Sequence, residues 1–137
     1  MISIDDVKFS ILKTCVENDG KLVAIEGDRD IPFRIERIFY VYGVKDQNDR
    51  GKHGHYESEQ VLICLYGKIT VICKDGKDEA IYELDKPNQS LYIPSMIWDE
   101  QIYHNEDSIL MVLSNLVYDT EDYIEDWEQF VSLKEQE

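Results

Sequence analysis

The fold is decided by residues 59–84, which read EQVLICLYGKITVICKDGKDEAIYEL. Three short runs in this stretch are dominated by β-branched and other apolar residues, a composition typical of buried strands. Gly67 separates the first two runs, and Asp75-Gly76 before the third is a strong hairpin signal. The stretch therefore predicts an antiparallel meander with strands at Glu59–Tyr66, Lys68–Lys74 and Glu79–Leu84.

Strand-like segments continue on both sides of this meander, at Lys21–Ile25, Ile31–Tyr42, Ser90–Pro94 and Ile109–Val117. The polar segment Gly43–Gly51 predicts a loop. Near the end, Tyr123, Trp127 and Phe130 fall at helical spacing and predict one short helix. Many short strands without βαβ alternation favour a sandwich or barrel, and a jelly roll fits the strand count. The sequence thus predicts an all-β jelly roll with a short C-terminal helix.

The composition restricts the classes of function. The chain has 137 residues, 43% of them hydrophobic, and we expect one folded domain over residues 1–137. Asp and Glu number 29 against 14 Lys and Arg, and this net charge of -15 repels nucleic acid and anionic membranes. No long apolar segment or secretory signal is present, so we expect a cytoplasmic protein. The three cysteines lack metal-binding spacing and are expected to be reduced.

Two of the three histidines stand together in the segment Arg50-Gly51-Lys52-His53-Gly54-His55. Alternate side chains of a strand share a face, so His53 and His55 should point the same way. Imidazole titrates near neutral pH, which suits it to accept and then donate a proton. The alternative interpretation is a polar strand start that is open to solvent.

The histidine spacing resembles the first motif of the cupin superfamily. Gln60 and Gly67 follow at matching positions, although the carboxylate ligand of that motif is here an amide. In the second motif, Pro94 is followed by Asp99 where a histidine would stand. Two histidines and one carboxylate can bind a divalent metal, so a metal site is the more specific alternative for these residues. Because Gln60 replaces a ligand and the third histidine is missing, we expect no metal and no cofactor.

A closer resemblance covers nearly the whole chain, from about Leu22 to Phe130. The ordered series is similar to the sugar 3,4-ketoisomerase family, and its pieces are Lys21–Glu26, Ile31–Phe33, Arg37–Tyr40, Arg50–His55, Glu59–Cys64, Leu91–Pro94, Ile97–Trp98, Tyr118–Asp119 and Asp122–Ile124. The resemblance implies a cupin-type jelly roll, the substrate dTDP-4-keto-6-deoxy-D-glucose, a homodimer and a metal-independent reaction. It also implies that the 3-keto product feeds an aminotransferase in the biosynthesis of 3-amino-3,6-dideoxy sugars for bacterial surface glycans.

The reaction implied by the resemblance needs a proton shuttle, because moving a ketone from C4 to C3 requires loss of the C3 proton and gain of a C4 proton. By similarity to the family, His55 is expected to shuttle the proton and His53 to orient the substrate or stabilise the enediol. An enediolate also needs hydrogen-bond donors that already point at the oxygen where negative charge develops, and Tyr40 is a candidate donor. The division of roles between the histidines stays open.

The substrate-binding residues follow from the charge of a nucleotide diphosphate and from the family positions. Arg37 and Arg50 are the expected partners of the diphosphate, since Arg29 and Arg34 fit a solvated face better. Trp98 is a candidate to stack on thymine, although a tryptophan more commonly packs in the hydrophobic core. Gln60 is expected to contact the substrate, and Asp19 and Asp99 occupy positions expected to influence the C4 configuration of the product.

Two other functions remain open at this point. A 3,5-epimerase acting on the same keto sugar begins with the same carbon acidity next to a ketone. A non-catalytic cupin module would bind a dTDP-sugar without turnover.

Overall fold

The computed structural model describes residues 1–45 and 49–137, and β-strands dominate it. Strands and helix follow one another along the chain as β1 (Lys8–Ile11), β2 (Cys15–Val16), β3 (Lys21–Leu22), β4 (Arg37–Val41), β5 (Asp49–His55), β6 (Gln60–Tyr66), β7 (Ile69–Lys74), β8 (Glu79–Leu84), β9 (Gln89–Ile93), β10 (Trp98–Tyr103), β11 (Ile109–Ser114), β12 (Tyr123–Ile124) and α1 (Trp127–Glu135).

Two five-stranded antiparallel sheets pack face to face. The first sheet has the order β1-β9-β6-β11-β4 and the second β12-β5-β10-β7-β8, while β2 and β3 form a small separate hairpin. Buried side chains from both sheets, among them Leu62 and Val112 from the first and Val71 and Tyr103 from the second, form one core cluster. Alternation along each strand sends these residues inward. This arrangement confirms the predicted jelly roll.

The central meander is confirmed, with β6, β7 and β8 within one residue of the predicted limits. At the predicted hairpin, the Asp75 carboxylate accepts hydrogen bonds from the backbone N–H groups of Lys77 and Asp78, at 2.9 and 2.8 Å. Gly76 has a φ of +98°, in the left-handed region that favours glycine. Turn chemistry that is local in sequence was therefore a reliable signal.

Several segments differ from the sequence expectations, and one is β3, which covers only Lys21–Leu22 of the predicted strand Lys21–Ile25. Strand β4 begins only at Arg37, whereas the predicted strand began at Ile31. Strand β10 was not predicted, because three consecutive polar residues, Asp99, Glu100 and Gln101, interrupt its apolar pattern. The N-terminal segment, where no strand was predicted, pairs as β1 with β9 of the same chain. Of the predicted loop at 43–51, residues 46–48 lie outside the described residues, and β5 begins at Asp49.

The predicted C-terminal helix is confirmed, but it starts at Trp127 rather than near Tyr123. The Asp126 carboxylate caps its first turn by accepting a hydrogen bond from the backbone N–H of Glu128, at 3.2 Å. Phe130 is fully buried on the inner face of the helix. No described segment forms an apolar helix of bilayer-spanning length.

Candidate active site

A cavity of about 390 Å³ opens between the two sheets at the end of the jelly roll where β4, β5 and β10 meet. Both sheets and the segment before α1 contribute side chains to its wall. The lining residues used below are Arg37, Arg50, His53, Gln60, Gln101, Tyr118 and Tyr123. Four of the residues predicted to form the site are therefore brought together here, namely Arg37, Arg50, His53 and Gln60.

A β-bulge in β5 determines which side chains of this strand reach the cavity. Asp99 of β10 is paired with His53, but the next residue, Glu100, is paired with Gly51, which leaves Lys52 as the extra residue. Gly51 and Lys52 have φ values of +82° and +56°. In a regular strand, residues three apart face opposite sides, whereas the bulge lets both Arg50 and His53 line the cavity. The rule that alternate residues of a strand share a face, applied to the sequence, could not account for this extra residue.

His53 and His55 form a close aromatic group with Tyr123. The two imidazole centroids are 4.8 Å apart, and the Tyr123 ring lies 5.1 Å from His53 and 4.7 Å from His55. His53 is half-buried and lines the cavity, whereas His55 is 5% exposed behind it. The Nε2 atom of His55 is buried and has no hydrogen-bond partner among the described residues. The paired orientation predicted from HxH spacing is therefore present.

The surroundings of His55 favour its neutral form. Burial, first of all, lowers the pKa of His55 from 6.5 to about 4, and His53 and Arg37 lower it as well, whereas the Asp122 carboxylate raises it. At neutral pH the His55 ring is thus unprotonated. A neutral imidazole with a free nitrogen is chemically able to accept a proton.

Tyr123 was interpreted from the sequence as part of a helical packing stripe, and the structure corrects this. The residue lies in β12, opposite His55 in the antiparallel pairing with β5. Asp122 holds the segment in place, since its carboxylate accepts hydrogen bonds from the backbone N–H groups of Glu57 and Ser58, at 2.8 and 3.1 Å. The signal that could have revealed this was Asp126, which caps the first turn of α1 and so places the start of the helix after Tyr123.

Arg37 and Arg50 approach the cavity from opposite sheets. The guanidinium of Arg37 stacks over Phe39 and Tyr118, with its central carbon 4.4 and 4.9 Å from the two ring centroids. Neither arginine forms an ion pair with another described residue. Unpaired guanidinium groups in a concave site suit an anionic ligand such as a diphosphate.

Asp99 is placed differently from its predicted role in binding the substrate. It is 1% exposed and lies behind the cavity lining rather than in it. The Gln101 side chain, which does line the cavity, donates a hydrogen bond from Nε2 to Asp99 Oδ2 at 3.1 Å. Gln101 was not among the predicted residues, because β10 itself was not predicted.

Three other predicted residues lie away from this cavity. Tyr40 is on the outer face of β4 with 65% exposure, because alternation turns it away from Arg37 and Phe39. Trp98 is 4% exposed and packs against Trp127 and Phe130, so its ring is a core residue beneath α1. Asp19 is exposed in the turn between β2 and β3. The structure does not support substrate contacts for these three within one chain.

The metal alternative requires three or more suitable side chains around one point. Within residues 1–45 and 49–137, no such cluster of His, Cys, Asp or Glu is present. Tyr123 packs against His55, and Asp99 lies behind the wall. The two histidines and the carboxylate therefore do not converge as ligands in the described part of the chain.

Known proteins resemble this chain over nearly its full length. Residues 5–135 match the family model described as FdtA: WxcM-like, C-terminal. A TDP-4-oxo-6-deoxy-alpha-D-glucose-3,4-oxoisomerase from Aneurinibacillus thermoaerophilus is 39% identical over 118 residues, covering 86% of this chain and 85% of that protein.

Solved structures agree with this match. The sugar 3,4-ketoisomerase QdtA from Thermoanaerobacterium thermosaccharolyticum, in complex with TDP, has a TM-score of 0.93 at 34% identity and covers 97% of both chains. WlaRA, a TDP-fucose-3,4-ketoisomerase from Campylobacter jejuni, has a TM-score of 0.89 at 35% identity, with 94% of this chain and 96% of that chain covered. The chain therefore belongs to the FdtA/WxcM-like family of TDP-sugar 3,4-ketoisomerases, as the sequence resemblance predicted.

Proposed function

We propose that this chain moves the keto group of TDP-4-keto-6-deoxyglucose from C4 to C3 by histidine-mediated proton transfer. The observation that carries the proposal is a cavity with His53 in its wall, His55 directly behind, and Arg37 and Arg50 on opposite sides. A His-to-Asn variant of the QdtA relative has been captured with TDP-4-keto-6-deoxyglucose. The same substrate is therefore assigned to this chain.

The diphosphate binds between Arg37 and Arg50. A chain with net charge -15 attracts a nucleotide diphosphate only where cations are concentrated locally. Both guanidinium groups lack ionic partners among the described residues, so the ligand supplies the missing counter-charge. The sugar then lies toward His53 and Gln60, deeper between the sheets.

The proton transfers balance without any added oxidant or reductant. A neutral imidazole removes the C3 proton, the C3–H bonding electrons form the C3=C4 double bond, and the C4 carbonyl oxygen takes up a proton to give an enediol. The O3 proton then leaves, the C3 carbonyl forms, and C4 receives a proton. His55 is the base that shuttles the carbon-bound proton, and His53 donates to or stabilises the oxygen.

Substrate binding adjusts the basicity of His55. A base whose pKa is near 4 is a weak proton acceptor at neutral pH. Arg37 is one of the groups that lower this pKa, and a bound diphosphate offsets the Arg37 charge. Offsetting the Arg37 charge removes one of the causes that lower the pKa of His55, while burial, the largest of them, remains.

The test is the structure of the product. We expect NMR of a reaction with TDP-4-keto-6-deoxyglucose in D₂O to show the carbonyl carbon at C3, a proton or deuteron at C4, and no deuterium at C5. The coupling constants of the C4 proton, measured in H₂O, give the C4 configuration of the product. Deuterium at C5 with C4 still a ketone would instead establish an epimerase. TDP binding without any turnover would establish a non-catalytic binding module.

We further propose that the 3-keto product is the substrate of an aminotransferase and that the chain forms a homodimer. A ketone at C3 is the functional group that transamination converts into a 3-amino sugar. Dimer formation is supported by the outer face of β4, where Ile38 and Tyr40 are 58% and 65% exposed, and by Tyr42 just after the strand, which is 71% exposed. Sedimentation of the purified chain should give twice the mass of one chain, and Tyr40→Glu should shift it toward the monomer.

A further inference from the structure

Strand β10 carries a ladder of polar side chains on its inner face, below the cavity. Asp99, Gln101 and Tyr103 alternate along the strand and are 1%, 7% and 0% exposed. The Tyr103 hydroxyl donates to Gln101 Oε1 at 3.0 Å, and Gln101 Nε2 donates to Asp99 Oδ2 at 3.1 Å. These two bonds fix the orientation of the Gln101 amide. One N–H of that amide remains outside the ladder, on a side chain that lines the cavity.

Asp99 also faces His53 across the strand pair. The two residues are directly opposite in the antiparallel pairing of β10 with β5, an arrangement that places side chains on one face about 5 Å apart. Gly51 permits this approach, because a Cβ atom there would lie 3.1 Å from the Asp99 carbonyl oxygen and 3.4 Å from Oδ2. The bulge that turns His53 toward the cavity therefore also brings the Asp99 carboxyl group beside it.

The groups around Asp99 leave few ways to stabilise a buried carboxylate. His53 faces it from β5, the Cys73 thiol lies opposite on β7, and Glu100 is its neighbour on β10. Burial raises the pKa of the Asp99 carboxyl, Glu100 raises it too, and His53 and the Gln101 hydrogen bond lower it. Of these neighbours, His53 is the group that can carry a positive charge. A buried carboxylate requires such a partner or a proton.

We propose that Asp99 is a positioning residue that acts on the reaction through His53 and Gln101 and does not touch the substrate. Asp99 orients the His53 imidazole in the cavity wall, where His53 serves as the proton donor while His55 serves as the base. Through the amide hydrogen bond, Asp99 also aims the remaining N–H of Gln101 into the cavity. This role rests on the proposed isomerase function, but its effect on the His53 ring exists without substrate.

The decisive variant is Asp99→Asn, which keeps an acceptor for Gln101 and replaces the carboxyl group that faces His53 with an amide. We expect kcat to fall about tenfold to hundredfold, with KM and the Kd for TDP within about threefold of wild type. In the substrate-free protein, the NMR chemical shifts of the His53 ring should change, because the group opposite the ring has changed. Glu100→Gln is the matched control, since Glu100 lies on the opposite face and pairs with Lys74. It should leave the His53 ring shifts and kcat nearly unchanged.

The outcomes separate this role from others. A raised KM with unchanged kcat would mean that Asp99 contacts the substrate, and unchanged His53 ring shifts with unchanged kcat would mean that it has no role; either result overturns the proposal. If Asp99→Asn does not fold, Gln101→Met tests the hydrogen bond through which Asp99 acts. This variant removes the amide but keeps a side chain of similar length, and kcat should fall at least about tenfold with KM within about threefold of wild type. An unchanged kcat in Gln101→Met would overturn the proposal, whereas wild-type turnover tests the isomerase function separately.

Discussion

His53 and His55 are two residues apart on one face of one strand, yet their surroundings differ. His53 lines the cavity opposite a buried carboxyl group, whereas His55 lies behind it, 5% exposed beneath Tyr123. Burial keeps His55 neutral by lowering its pKa to about 4. In the mechanism that we propose, one sequence pattern yields a proton acceptor and a proton donor, because identical side chains acquire separate roles from the residues packed against each ring.

The largest expected effect is the loss of the base. His55→Asn should lower kcat by about a thousandfold or more, because the C3 proton then has no acceptor. The Kd for TDP should stay within about tenfold of wild type, since the arginines that hold the diphosphate are unchanged. Turnover of TDP-4-keto-6-deoxyglucose and calorimetric binding of TDP measure the two quantities.

His53→Asn is the natural comparison for this variant. It should retain more turnover than His55→Asn, because a missing oxygen partner is replaced by water more readily than a missing carbon base. Equal or reversed losses in the two variants would exchange the roles assigned to the histidines.

The histidine pair was predictable because its signal is local. Strand alternation placed His53 and His55 on one face, and the scarcity of arginines in an acidic chain indicated Arg37 and Arg50. The meander of β6, β7 and β8 was predictable for the same reason, since glycine and Asp-Gly turns bound each run.

The remaining parts of the site depend on contacts between segments distant in sequence. Tyr123 reaches His55 only because Asp122 binds the backbone at Glu57 and Ser58, 65 and 64 residues earlier. Asp99 meets His53 through the pairing of two strands and a bulge that no periodicity reveals. Trp98, one residue before Asp99, faces the helix instead, so a one-residue difference separates a packing residue from a candidate positioning residue.

A further prediction concerns stability at low pH. His55 has a pKa near 4 in the folded chain against 6.5 when unfolded, so the unfolded chain binds a proton more readily between these values. Stability should therefore fall as pH drops from about 6.5 to 4, and the loss should level off below that. The full difference corresponds to about 3 kcal/mol. Urea unfolding of wild type and His55→Asn at pH 7, 5.5 and 4.5 measures it, because the variant lacks this contribution while its carboxylates are the same. Parallel pH dependence in both proteins would contradict the buried, neutral state of His55.

The smallest effect we predict is on ligand binding at Arg37. Arg37→Ala should raise the Kd for TDP by about thirtyfold, since a charge-assisted contact to a diphosphate contributes about 2 kcal/mol. Arg34→Ala is the matched control, because its side chain is 83% exposed and pairs with Glu36 at 3.0 Å outside the cavity.

The Arg37→Ala variant should also raise the pKa of His55, because the positive charge of Arg37 is one of the causes that lower this pKa. TDP calorimetry and NMR titration of the His55 ring measure both effects, and a Kd that changes equally in the two arginine variants would show that the diphosphate binds elsewhere. An unchanged His55 titration together with weaker TDP binding would separate the diphosphate contact from the adjustment of the base.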